Sequence, residues 1–158
     1  MQRLFILQEK LLSKIDEFKV IPGQRDETLN WERIHMISCA KIGQLLALNR
    51  GEDPELAGMA SCVHDYGRII TGKQAGHAEA AYEPLKIFLA GIQLFTAREI
   101  EMLAVAARNH SSKHEVGTPL EEIVKDADVL DCYQYGQPLA RQEQRVRLEK
   151  IMQEIGSR

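Results

Sequence analysis

The sequence predicts an all-α fold, a single-domain bundle of about six to seven helices spanning residues 1–158. Three observations predict it. Apolar residues recur at three- and four-residue steps through most of the chain. Long alternating β-branched runs and hairpin Asn-Gly or Asp-Gly pairs are missing. Helix-start signatures recur along the chain, and no repeat, low-complexity tract or linker divides it.

Leu4, Leu7, Leu11, Leu12, Ile15 and Phe18 share one face of a helix over 3–19. VIPGQRDETLN follows as a loop, since Pro22-Gly23 breaks the pattern. Asn30 is placed to cap a second helix, which turns Ile34, Ile37, Ile42 and Leu45 inward and contains His35. Asn49-Arg50-Gly51 stops that helix, and Asp53-Pro54 supplies the N-cap and first residue of a third.

The third helix is expected to end near Gly67, with RIITGKQAG as a loop before a fourth helix that starts near His77. Thr96 and Glu99 form a capping box for a fifth helix running to about His110. Thr118 and Glu121 form another, opening a sixth through IVKDADVLDCY. The charged segment 138–155 forms the last. Its Val146, Leu148, Ile151 and Ile155 are free to pack on the domain or on a second subunit, which leaves a homodimer open.

Composition excludes some functions. With 44% hydrophobic residues, 27% charged residues and a net charge of -3, the chain carries no electrostatic footprint for a nucleic acid polymer or an anionic membrane. No window approaches a transmembrane span. Cys39, Cys62 and Cys132 form no CxxC and read as reduced thiols, so a cytoplasmic protein is expected.

The chemistry is expected from the histidines. His35, His64, His77 and His110 fall on four different predicted helices, Asp65 adjoins His64, and Asp128 sits within KDADVLD. Imidazole nitrogen with carboxylate oxygen suits Zn, Mn or Fe, and helical bundles build metal sites from one inward ligand per helix. Neighbouring helical residues point about 100° apart, so amphipathicity alone does not turn both His64 and Asp65 inward. A cation at the helix end reconciles them, with Gly67 letting the chain leave. Asp126 and Asp131 compete with Asp128 for the last ligand position, and Asp131 can instead orient a ligand. His114 is expected in solvent, and Tyr66, Tyr133 and Tyr135 in packing.

His35, the His64-Asp65 pair and Asp128 resemble the H…HD…D signature of the HD-domain superfamily of metal-dependent phosphohydrolases, over about residues 31 to 135. His77 in GHAEAA and His110 in RNHSSK resemble the extra ligands of branches that bind two metals; stand-alone bacterial members are the nearest in kind. The resemblance implies one divalent ion on His35, His64, Asp65 and Asp128. A second would sit on His77 and His110, with Asp65 bridging. The ions would be Fe, Mn or Zn, with Mg also open.

It also implies hydrolysis of a phosphate ester or phosphoanhydride of a nucleotide or related small molecule by a metal-bound hydroxide. Arg68, three residues past Asp65, is the candidate to fork onto phosphate oxygens, ahead of Lys73 and Lys113. Two other readings of the same ligand set stay open: an HD-fold di-iron oxygenase, and a non-catalytic module that senses a nucleotide or metal.

Overall fold

The buried leucines of the first segment close it onto the rest of the chain. In the computed structural model, which describes residues 2–18 and 23–156, Leu4, Leu7, Leu11 and Ile15 of α1 (Gln2–Asp16) are all buried. Lys19 and the Pro22 half of the predicted break lie outside the described residues. The rest of the chain forms α2 (Leu29–Arg50), α3 (Pro54–Val63), α4 (Tyr66–Thr71), α5 (His77–Ile92), α6 (Ala97–Asn109), α7 (Pro119–Gln134) and α8 (Gln142–Gly156). No strand is present among the described residues, and none of their helices is long and apolar enough to cross a membrane.

Local caps set several helix starts. The Asp53 carboxylate accepts from the N–H groups of Glu55 and Leu56, and both predicted capping boxes form. The second helix starts differently from the sequence reading. Thr28 caps it, accepting from the Trp31 N–H, while Asn30 lies inside the first turn.

Its inward face also differs. Ile34, Ile37 and Leu45 are exposed; only Ile42 of the predicted set is buried. The face turned inward carries Glu32, His35, Met36, Cys39, Ala40, Gly43 and Ala47. Most of these are small because α2 crosses α3 closely: a methyl at Gly43 would lie 2.9 Å from the Ser61 Cβ and 3.1 Å from the Ala57 carbonyl oxygen. Ile34 and Ile37 therefore face outward.

RIITGKQAG is not a plain loop. Its first half is part of α4, which closes where the Gly72 N–H meets the Arg68 carbonyl with Gly72 at φ 74°. Gly67 is not the exit of α3 but the second residue of α4. A methyl there would run into the His77 carbonyl oxygen and lie 2.9 Å from the Ala81 nitrogen. The glycine lets α4 lie directly on α5, which sets His77 beside the α3–α4 corner.

That corner sits deep in the protein, because α3 touches α1, α2, α6 and α7. One apolar cluster joins Leu7, Leu11, Met59, Leu85, Leu89 and Leu103; another joins Ile42, Leu46, Ile123, Leu130 and Ile151. Arg147 ties α8 down, donating to the Lys113 carbonyl at 2.6 Å and pairing with Asp126 and Glu122 at 2.9 Å each. Within the last segment Ile151 is buried, whereas Val146 and Ile155 are exposed.

Candidate metal centre

Five structural elements each bring polar side chains to one place. His35 comes from α2, His64 and Asp65 from the α3–α4 corner, and His77 from the start of α5. His110 caps the end of α6, and Asp128 lies within α7. All four imidazoles are buried.

The outer nitrogen of each ring is already committed. Nδ1 of His64, His77 and His110 donates to the carbonyl oxygens of Ser61, Gln74 and Ala107 at 2.6–2.7 Å. Nδ1 of His35 donates to Asp131 Oδ2 at 2.5 Å. Carbonyl and carboxylate oxygens accept here, so each Nδ1 donates outward and each Nε2 points inward.

These nitrogens converge in two groups. His35 Nε2 lies 3.2 Å from His64 Nε2, 3.2 Å from Asp65 Oδ2 and 3.4 Å from Asp128 Oδ1. His64 Nε2 is 3.2 Å from Asp65 Oδ2 and 3.7 Å from Asp128 Oδ1. In the second group His77 Nε2 is 3.0 Å from both His110 Nε2 and Asp65 Oδ1, and His110 Nε2 is 3.4 Å from that same oxygen. Asp65 thus faces one group with each oxygen.

Acceptors this close repel unless a cation lies among them. Nitrogen and oxygen donors about 2.0–2.2 Å from one tetrahedral ion stand roughly 3.3 Å apart, which matches the first group. Asp65 Oδ2 is buried and accepts no well-formed hydrogen bond from the described residues, although Arg68 Nη2 lies 2.5 Å away. The donor set therefore fits divalent metal.

Electrostatics agree with the geometry. Burial pushes the Asp65 carboxyl up, but Arg68 and His64 outweigh it and hold it well below the usual carboxylate range. Burial raises Asp128 too, and Lys113, His35 and His64 bring it well below. Burial lowers His64, yet Asp65 and Asp128 lift it to about 9. Burial dominates at His110, which falls to about 4. Without a cation the first group collects protons, and a metal ion takes their place.

Of the competing aspartates, Asp131 orients His35 and Asp126 pairs with Arg147 and Arg50. Arg68 is placed differently from the sequence reading, which offers it to a phosphate. It is buried, donates Nε and Nη2 to the two oxygens of Glu32 at 3.0 and 3.1 Å, and gives Nη1 to Gln74. Lys113 is buried against Asp128 Oδ2 at 2.6 Å, and Lys73 pairs with Asp26 at the surface. His114 is exposed, as are Tyr133 and Tyr135, while Tyr66 stacks on Phe88.

Several side chains were not singled out for the site from sequence. Glu32 is one helical turn before His35. Cys39 and Cys132 are each four residues past His35 and Asp128, with Sγ 3.6 Å from His35 Nδ1 and 3.5 Å from Asp128 Oδ1. The i±3 and i±4 neighbours of each ligand candidate were the available signal. Trp31 stacks on His35 with centroids 5.0 Å apart. A cavity of about 220 Å³ opens onto Asp65, His77, His110 and Asp128, with Trp31, Gln74, Ser111, Gln137 and Arg141 in its walls.

The family description HD domain matches residues 33–133, which include all six converging side chains. The chain belongs to the HD domain family. No curated protein and no solved structure gives a significant match. The HD domain family consists mostly of metal-dependent phosphohydrolases. In this member, the matched residues carry the converging cluster. Glu27, Trp31, Gln137, Pro138, Arg141 and Gln144, which line the cavity, fall outside the match.

Proposed function

We propose that this HD domain protein is a phosphohydrolase that uses two divalent ions to cleave a phosphate ester or phosphoanhydride of a nucleotide or related small molecule. One observation carries the reading. Four inward-facing imidazole nitrogens and two carboxylates meet in two groups that share Asp65, and the cluster opens onto a cavity sized for a small ligand.

His35, His64, Asp65 and Asp128 would hold one ion; His77, His110 and the other Asp65 oxygen would hold the second. Ions bound there supply Lewis acidity, which lowers the pKa of water and stabilises charge on phosphoryl oxygens.

The chain's own residues do the rest. Asp131 and the three backbone carbonyls fix which nitrogen of each imidazole faces inward. Arg68, held by Glu32, keeps Asp65 ionised and in place, and Lys113 does so for Asp128. Arg68 is thus a positioning residue, acting through Asp65. Trp31 gives the cavity an aromatic wall suited to a nucleobase or other flat group.

Elemental analysis of protein purified without chelator, followed by an aerobic and anaerobic phosphatase panel with the metals found, tests this reading. We expect about two ions per chain. Phosphate release should be lost with chelator, restored by metal and indifferent to oxygen. A chain that holds no ion, or that consumes oxygen without releasing phosphate, overturns it.

A further inference from the structure

A phosphate in the cavity needs a cation whose charge is not already matched, and carboxylates match the two nearest the cluster. Arg68 faces two carboxylates, Glu32 and Asp65, and its Nη1 is on Gln74. Lys113 is buried against Asp128. Both neutralise protein carboxylates, so neither has charge left for a ligand. Arg141 differs.

Arg141 lines the same cavity as the converging histidines and aspartates. It stands in the short connection between α7 and α8, outside the residues matched by the family. Its backbone N–H is held by Gln144 Oε1 at 3.1 Å, and its Nη1 donates to the Ser111 carbonyl at 2.9 Å. Ser111 follows His110 directly, so this bond anchors the guanidinium beside the second donor group. Among the described residues its one ion-pair partner is Glu143, 3.6 Å away at the exposed rim, where such a pair contributes little. Nε and Nη2 have no partner among the described residues.

We propose that Arg141 binds the non-bridging oxygens of the substrate phosphate, an inference that rests on the phosphohydrolase reading. The Ser111 carbonyl holds one arm of the fork. The free Nε and Nη2 edge presents two parallel donors, the geometry that meets two oxygens of one phosphate. Arg141 thereby selects phosphorylated ligands over neutral ones of the same shape.

The test compares wild type, R141A and R141K as full-length, metal-loaded proteins. Calorimetric titration with inorganic phosphate is run beside steady-state kinetics on an ester that the wild type hydrolyses. We expect R141A to weaken phosphate binding and raise KM by roughly tenfold to a hundredfold, as for loss of charge-assisted hydrogen bonds. Metal content and unfolding temperature should stay at wild-type values, and R141K should recover part of the affinity.

An R141A protein that binds phosphate as tightly as wild type overturns the assignment, and so does one that loses its metal. Should the wild type hydrolyse no ester, the phosphohydrolase reading fails on its own; the phosphate titration then still decides whether Arg141 is the anion-binding group.

Discussion

Asp131 Oδ2 lies 2.5 Å from His35 Nδ1, and its other oxygen is buried without a hydrogen-bond partner among the described residues. A wholly buried carboxylate that spends its one good contact on an imidazole exists for that imidazole. It fixes the His35 proton on Nδ1 and keeps Nε2 aimed at His64. We expect Asp131→Ala to weaken metal binding by about tenfold to a hundredfold. Competition with a chromophoric chelator measures it, and unchanged affinity would show that the carboxylate serves only the core.

Asp65 and His77 should differ in how much metal they cost. Asp65 gives one oxygen to each donor group, whereas His77 belongs only to the second. Asp65→Ala should therefore empty both positions, and His77→Ala should empty one. Elemental analysis of the two purified variants reads the difference directly. Equal losses would mean that the groups do not share a carboxylate ligand.

Trp31 is the only tryptophan and stacks on His35 with an interplanar angle of 16°. Its fluorescence should report directly on the donor group that contains His35. Adding Co(II) to metal-free protein should quench the emission in step with binding, and His35→Ala should abolish the response. Emission that ignores Co(II) while elemental analysis shows it bound would place the ion elsewhere.

Gly67 tests how α4 and α5 set the second donor group. A methyl there meets the His77 carbonyl oxygen, which is backbone and cannot rotate aside. Gly67→Ala should cost about 1–3 kcal/mol in stability, as overpacking does. Because the displaced residue is His77, the variant should also lose metal from that group. Chemical denaturation and metal content check both outcomes.

Helix starts were legible where their cause is local. Asp53, Thr96 and Thr118 cap their own first turns, and each contact spans at most three residues. α4 was not legible, because six residues are too few for an apolar period to show. The inner face of α2 was misread because a close crossing rewards small residues, and periodicity alone ranks Ile34 and Leu45 above Ala40 and Gly43. The converging histidines were readable as residue types at helix ends. The partner of Arg68 was not: Glu32 lies 36 residues away, a contact that only the tertiary fold makes.

Glu99 should govern part of the acid limb of stability. Its carboxylate accepts from Arg3 of α1 at 2.6 Å and from the Thr96 N–H, and these bonds, Arg3 first, hold its pKa at about 2. The unfolded chain has the ordinary value of 4.5. A depressed folded pKa means the unfolded state binds the proton first as pH falls. The contribution of Glu99 is thus complete above pH 4.5 and is lost as pH falls toward about 2. Glu99→Gln removes the titration but keeps an acceptor for the cap. It should unfold at a lower temperature than wild type at neutral pH, with the gap closing between pH 4.5 and 2. Parallel melting curves for the two proteins across that range measure the gap, and a constant offset would mean that the Arg3 pair does not couple to folding.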